Sequence, residues 1–127
     1  MKANILLFHR IHPVRDPLWD PMPVELFEKI SRYISRKYTI VSLREYFFQA
    51  PRQYKKPPLL VTFDDGYRDF LEYALPVLKK YSIPAAMFIV TDCVEKGLPT
   101  WTYIMDYLFS NTRKLKLKDS DFDFLHN

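Results

Sequence analysis

Residues 59–70 read LLVTFDDGYRDF. The run from Leu59 to Phe63 is apolar and β-branched, the pattern of a strand covered on both faces. It ends on two adjacent acids, Asp64 and Asp65, and then Gly66, one of only two glycines in the chain. In β-α folds functional side chains collect at the C-terminal ends of strands and on the loops that follow. Asp-Asp-Gly alone is also ordinary turn chemistry. Successive strand residues point to opposite faces, but a glycine permits backbone torsions that other residues resist, so the pair can converge at a strand end. Carboxylates this close are tolerated with a cation between them, with one protonated, or with both facing water.

The flanks supply the rest of the architecture. Ala3 to His9 holds the short apolar run Ile5 to Phe8 and reads as a first buried strand. Arg10 to Pro23 carries four prolines and reads as a loop. Phe27, Ile30 and Ile34 recur at helical spacing within Val24 to Lys37, with Leu26 and Tyr33 beside them and Glu28, Lys29, Arg32 and Arg36 facing outward. Tyr38 to Val41 reads as a second strand. Ser42 and Glu45 have capping-box spacing, with a short helix following to Gln49. Asp69 to Tyr81 is helical in pattern, and Pro76 is expected to kink or restart it. Pro84 to Val90 reads as a fourth strand, and Trp101 to Asn111 as a further helix with Trp101, Ile104, Met105 and Leu108 on its core side. In the tail, Lys114 to Lys118 and Asp121 to Leu125 alternate with period two and suit a hairpin. Strands alternating with helices predict β-α units and a parallel sheet.

Composition narrows the function classes. The chain has 127 residues, enough for one domain, and 48% are hydrophobic, ample for a core. The net charge of +4 is spread in small basic groups with acids between them, which describes a solvated surface rather than a nucleic-acid stripe. Cys93 is the only cysteine, so neither an internal disulfide nor a cysteine-based zinc site can form, and a buried spectator is expected. The apolar run Ile5 to Phe8 is too short for a signal-peptide core, and no stretch approaches a membrane span, so a cytoplasmic location is the default expectation.

VTFDDGYRDF resembles the first signature of the polysaccharide deacetylases, the NodB-homology or carbohydrate esterase family 4. An opening FHRIHP, then YTIVSLREYF, TFDDGYRD and ALPVLKKYSIPAAMFIV follow that family's N-terminal half in order. LPTWTYIMDYLF is similar to a Trp-containing helix of some members. Ala86 departs from the family, where threonine is common. The resemblance implies a distorted (β/α) barrel, of which residues 1–127 form the N-terminal half as one partial domain, with parallel strands and an incomplete sheet. It implies removal of acetyl groups from N- or O-acetylated sugars. It also implies a divalent metal, commonly zinc, with Asp64 as general base and Asp65 as metal ligand. A bound metal lowers the pKa of water and polarises the acetyl carbonyl, while the uncoordinated carboxylate takes the proton. His9, Gly66 and Tyr67 are candidate site-lining residues. His9 as a loop histidine, and Arg68 as a solvated or capping residue, are the plainer alternatives.

The family's histidine pair, of H-[ST]-x-x-H type, has no counterpart. The histidines are His9, His12 and His126, and the last two are expected at the surface. A (β/α) barrel takes about 250 residues, so the chain is read as an N-terminal portion. Metal binding is expected to be weak or absent, and the sheet edge is a place for association. The alternative function is a non-catalytic carbohydrate-binding or assembly module of the same fold. A magnesium-dependent phosphate site ranks lower, because no convincing lysine stands at another strand end.

Overall fold

The run from Leu59 to Phe63 lies inside a strand that pairs with three others. The computed structural model describes residues 3–16, 19–49, 53–113 and 118. Its strands are β1 (Asn4–Phe8), β2 (Thr39–Ile40), β3 (Pro58–Asp65) and β4 (Ala86–Ile89). All pairings are parallel: β1 with Leu59–Phe63, β2 with Pro58 and Leu59, and β4 with Thr62–Asp65. Leu59 pairs with both Asn4 and Ile40, and Thr62 with both Leu7 and Ala86. A residue paired twice uses both edges of its strand. β1 therefore occupies one edge of β3, while β2 and β4 share the other in succession.

One face of this α/β sheet is packed. Leu59, Val61 and Phe63 alternate onto it with Phe8, and meet Phe27 and Ile34 of α1 (Val24–Lys37) and Val77 and Leu78 of α3 (Leu75–Lys80). Four phenylalanines form its centre: Phe8 lies 5.1 Å from Phe27 edge-on and 5.3 Å from Phe63, and Phe70 lies 4.8 Å from Phe63. Edge-to-face geometry suits the ring quadrupole, and burial of Phe8, Phe27 and Phe63 stabilises by about 1.5–3 kcal/mol each. On the other face the expectation of burial fails. Leu60 and Thr62 are covered, but Ile5 is 64% exposed, Leu7 50% and Phe88 54%. α1 and α3 pack on the first face, and the exposure of Ile5, Leu7 and Phe88 leaves the apolar runs of β1 and β4 not buried on both.

The helices follow their periodicity with local corrections. α1 has Glu25 in its first turn and Arg36 and Lys37 in its last, complementing the helix dipole. It is pinned to the next helical layer by Glu28, which accepts from Lys80 Nζ at 2.6 Å and Tyr81 OH at 3.1 Å. α2 (Leu43–Phe48) has the expected capping box: Ser42 Oγ accepts from Glu45 N, and Glu45 Oε2 from Ser42 N. The helix expected over 69–81 begins instead as a π-helical turn, Phe70–Ala74, and continues as α3. Pro76 lies at the start of α3, and the wider turn before it accommodates its missing N–H and its ring.

A helix absent from the sequence reading, α4 (Thr91–Lys96), closes on Gly97 in the left-handed conformation. It carries Cys93, which is half-buried rather than buried. α5 (Trp101–Asn111) is capped by Thr100, whose Oγ1 accepts from Tyr103 N. Trp101 is 70% exposed and is not a core residue. The tail hairpin and His126 lie outside the described residues. Among those residues no helix is long and apolar enough to cross a membrane.

Candidate functional site

Register assembles the site. Phe8 pairs with Phe63, so His9 and Asp64 leave the same end of the sheet from adjacent strands. The acids lie within β3 itself rather than after it. By alternation Asp64 shares the open face with Leu60 and Thr62, and its carboxylate has no hydrogen-bond partner among the described residues. Asp65 breaks the alternation. Its φ is 71° and that of Gly66 is 76°, two successive residues in the left-handed region that few side chains tolerate. This turn brings Asp65 Oδ2 to 3.2 Å from His9 Nδ1. An ionised carboxylate only accepts, so in this contact Nδ1 is the donor. Gly66 is required twice over. A Cβ there would stand 3.1 Å from Ile89 Cγ2, and its φ is positive.

A second set of contacts holds the two loops together. Arg10 Nε donates to Asp69 Oδ2 at 3.1 Å, and Nη1 to Asp16 Oδ2 at 3.4 Å. The same guanidinium lies 5.4 Å from the Tyr67 ring and 6.0 Å from Trp19. Asp69 is buried, and its Oδ1 has no partner among the described residues. Burial pushes its carboxyl above the ordinary aspartate value, against the opposing pull of Arg10. Trp19 meets His9 and Tyr67 edge-on at 5.8 and 5.7 Å. The Tyr67 hydroxyl reaches Thr100 Oγ1 at 3.1 Å, tying the rim to the start of α5. The ends of the loop bearing Trp19 are joined by His12 N to Met22 O and Met22 N to Arg10 O, both 3.1 Å.

The structure thus gathers His9, Asp65, Gly66 and Tyr67 at one rim, with Asp64 beside them on the strand. His12 stands apart. It is half-buried rather than at the surface, edge-on to Tyr73, and its Nδ1 accepts from Val14 N. Arg68 is exposed and pairs with Glu72. Sequence reasoning missed Arg10, Asp69 and Trp19. The usable signal was Asp69, an acid four residues past Asp65 opening an apolar helical pattern, which needs a cationic partner when buried. Among the described residues no three His, Cys, Asp or Glu side chains gather to hold a metal. His9 and Asp65 offer two donors where a catalytic zinc takes three protein ligands and a water, so these residues alone do not fit that ion.

Comparison with known proteins agrees with this geometry. Residues 52–112 match the polysaccharide deacetylase family model. YxkH of Bacillus subtilis (strain 168), provisionally named a polysaccharide deacetylase, is 51% identical over 93 residues, which are 70% of this chain and 32% of that protein. Among solved structures, the Streptococcus pyogenes deacetylase PplD in complex with acetate is 30% identical with a TM-score of 0.62, over 76% of this chain and 46% of that one. A de-N-acetylase from Aggregatibacter actinomycetemcomitans shares the fold at 18% identity and a TM-score of 0.63, over 78% and 43%. The chain spans about a third of the curated relative and under half of these structures.

Proposed function

We propose, from the premise that this chain belongs to the polysaccharide deacetylase family and carries an N-terminal portion of its domain, that its rim serves the metal-dependent hydrolysis of acetamide or acetyl ester groups on sugars. Asp64 acts as the general base. It takes a proton from the water that adds to the acetyl carbonyl, and the proton passes to the sugar nitrogen or oxygen as the bond to the acyl carbon breaks. Asp65 would be the one carboxylate donor here to a divalent metal such as zinc, a set that does not by itself complete such a site. When bound, such an ion polarises a carbonyl and acidifies water. His9 holds the Asp65 carboxylate through its second oxygen, the role that outer hydrogen-bond partners play for ligating groups. Gly66 provides the turn, and Tyr67 buttresses the loop.

One observation carries the reading: parallel pairing of β1 with β3 delivers His9 to Asp65, while the Asp64 carboxylate beside them has no hydrogen-bond partner among the described residues. The test measures acetate release from N-acetylated sugar oligomers, together with zinc equilibrium dialysis. The 127-residue chain is expected to bind zinc weakly and release no acetate. A chain extended into a histidine pair should do both, and Asp64→Asn should lower its turnover by about 10²–10⁴-fold. Unchanged turnover in Asp64→Asn, or robust turnover by the 127-residue chain, would refute the assignment.

The incomplete donor set also favours a second reading, a non-catalytic carbohydrate-binding module. In that case the extended chain binds sugar and releases nothing.

A further inference from the structure

The contact between His9 and Asp65 is poorly protected. The two side chains meet at 3.2 Å while 41% and 24% exposed, so water competes for both partners. Among the described residues His9 makes that hydrogen bond and one ring contact, to Trp19. An imidazole has two nitrogens able to face a carboxylate, and a broad torsion about its ring bond. The contact alone does not decide which nitrogen is presented.

The neighbouring residues make a tighter pair. Arg10 adjoins His9 in the chain, and Asp69 lies four residues past Asp65. Arg10 Nε donates to Asp69 Oδ2 at 3.1 Å, with the two side chains only 20% and 8% exposed. The guanidinium is held on several sides. Its Nη1 donates to Asp16 Oδ2 at 3.4 Å, and its centre lies 5.4 Å from the Tyr67 ring and 6.0 Å from that of Trp19. The Arg10 carbonyl accepts from Met22 N at 3.1 Å. A charge-assisted bond made by a planar fork is strong and directional. Two contacts across the ends of β1 and β3 close a ring, where one alone would act as a hinge.

We infer that Arg10 and Asp69 are positioning residues for the reaction proposed above: their buried pair holds the end of β1 against the turn that follows β3, and so keeps His9 Nδ1 on Asp65. Their effect passes through the peptide between His9 and Arg10, and through Trp19, which meets both side chains. A carboxylate fixed by its hydrogen-bond partner keeps its other oxygen aimed at the site. The catalytic consequence rests on the deacetylase reading. The orientation of His9 rests on the contacts alone.

Long-range proton–nitrogen NMR of the 127-residue chain, without metal and well above the imidazole titration range, reads which His9 nitrogen carries the proton. Wild type should show it on Nδ1. Arg10→Met should shift most of the population to Nε2, the form a free imidazole favours. Arg10→Met combined with Asp69→Leu removes the charge that the single variant leaves unpaired, and exchange of a buried ion pair for apolar side chains often preserves stability. The double variant should match wild type in thermal midpoint while its His9 pattern follows Arg10→Met, which a merely structural pair would not do. In a chain extended into a histidine pair, Arg10→Met should lower kcat about 10–10²-fold and leave KM near the wild-type value. A proton on Nε2 in wild type overturns the positioning role. So does a wild-type His9 pattern in either variant, or an unchanged kcat in the extended Arg10→Met chain. If the His9 pattern depends on Arg10 but the extended wild-type chain releases no acetate, the hold on His9 stands and the reaction falls.

Discussion

Two left-handed residues in succession are the local price of the site, and they can be tested separately from it. Gly66 and Gly97 both have positive φ, but an added Cβ meets Ile89 at Gly66 and open space at Gly97. Gly66→Ala should cost about 1–2 kcal/mol from the backbone alone and more from the displaced isoleucine. Gly97→Ala should cost only the backbone part. Urea denaturation of the two variants measures the difference, and equal losses would mean that Ile89 moves aside freely. Asp69 makes a second test. Its folded carboxyl is raised by burial, so the folded chain binds that proton more tightly than the unfolded chain does. Stability therefore falls as pH rises from the ordinary aspartate value through the raised one. Asp69→Asn does not titrate, so the wild-type advantage in thermal midpoint should shrink as pH rises through this window. A widening gap would mean that the Arg10 charge outweighs burial. Asp64, Asp65 and Gly66 were legible in sequence because they are neighbours in it. Arg10 and Asp69 were not, because their contact spans 59 positions and exists only once β1 lies beside β3.

The helices were more legible than the strands. Helical periodicity marks one face, and in α1 it assigned Phe27 and Ile34 to the core, where both are buried, though it also set Leu26 and Tyr33 beside that face, where both are exposed. Leu26, also apolar and next in sequence, points outward and is exposed. Phe27→Ala should therefore destabilise by about 3–5 kcal/mol, and Leu26→Ala by no more than about 0.5 kcal/mol, both read from chemical denaturation. Similar losses in the two variants would mean that α1 packs through a different face. A continuous apolar run carries no such phase. Ile5 to Phe8 reads the same whether one face of the strand is covered or both, and here only Leu6 and Phe8 turn toward the helices. The π turn ahead of Pro76 is a middle case: the sequence marks where regular winding must fail, but not which irregular winding replaces it.

At the scale of the molecule, the exposed sheet face and the Asp64 carboxylate lie together among the described residues. Asp64 shares that face with Leu60 and Thr62, flanked by the exposed Ile5, Leu7 and Phe88. An apolar face of this kind on an isolated chain attracts apolar probes and other chains. The 127-residue chain should therefore bind a hydrophobic dye and associate with rising concentration in sedimentation velocity, and Leu7→Lys should reduce both. Because Leu7 is half exposed, the same substitution should change the stability of this chain by no more than about 0.5 kcal/mol. In a chain extended through the rest of a deacetylase domain the sign of the argument changes. If further strands cover this face, Leu7→Lys places an unpaired ammonium among apolar groups and should cost several kcal/mol. A substitution that is harmless in the short chain and severe in the long one would mean that added strands cover the Asp64 side of the sheet, from which further donors could reach the rim. Harmlessness in both would leave that face open to solvent and place any further ligands elsewhere.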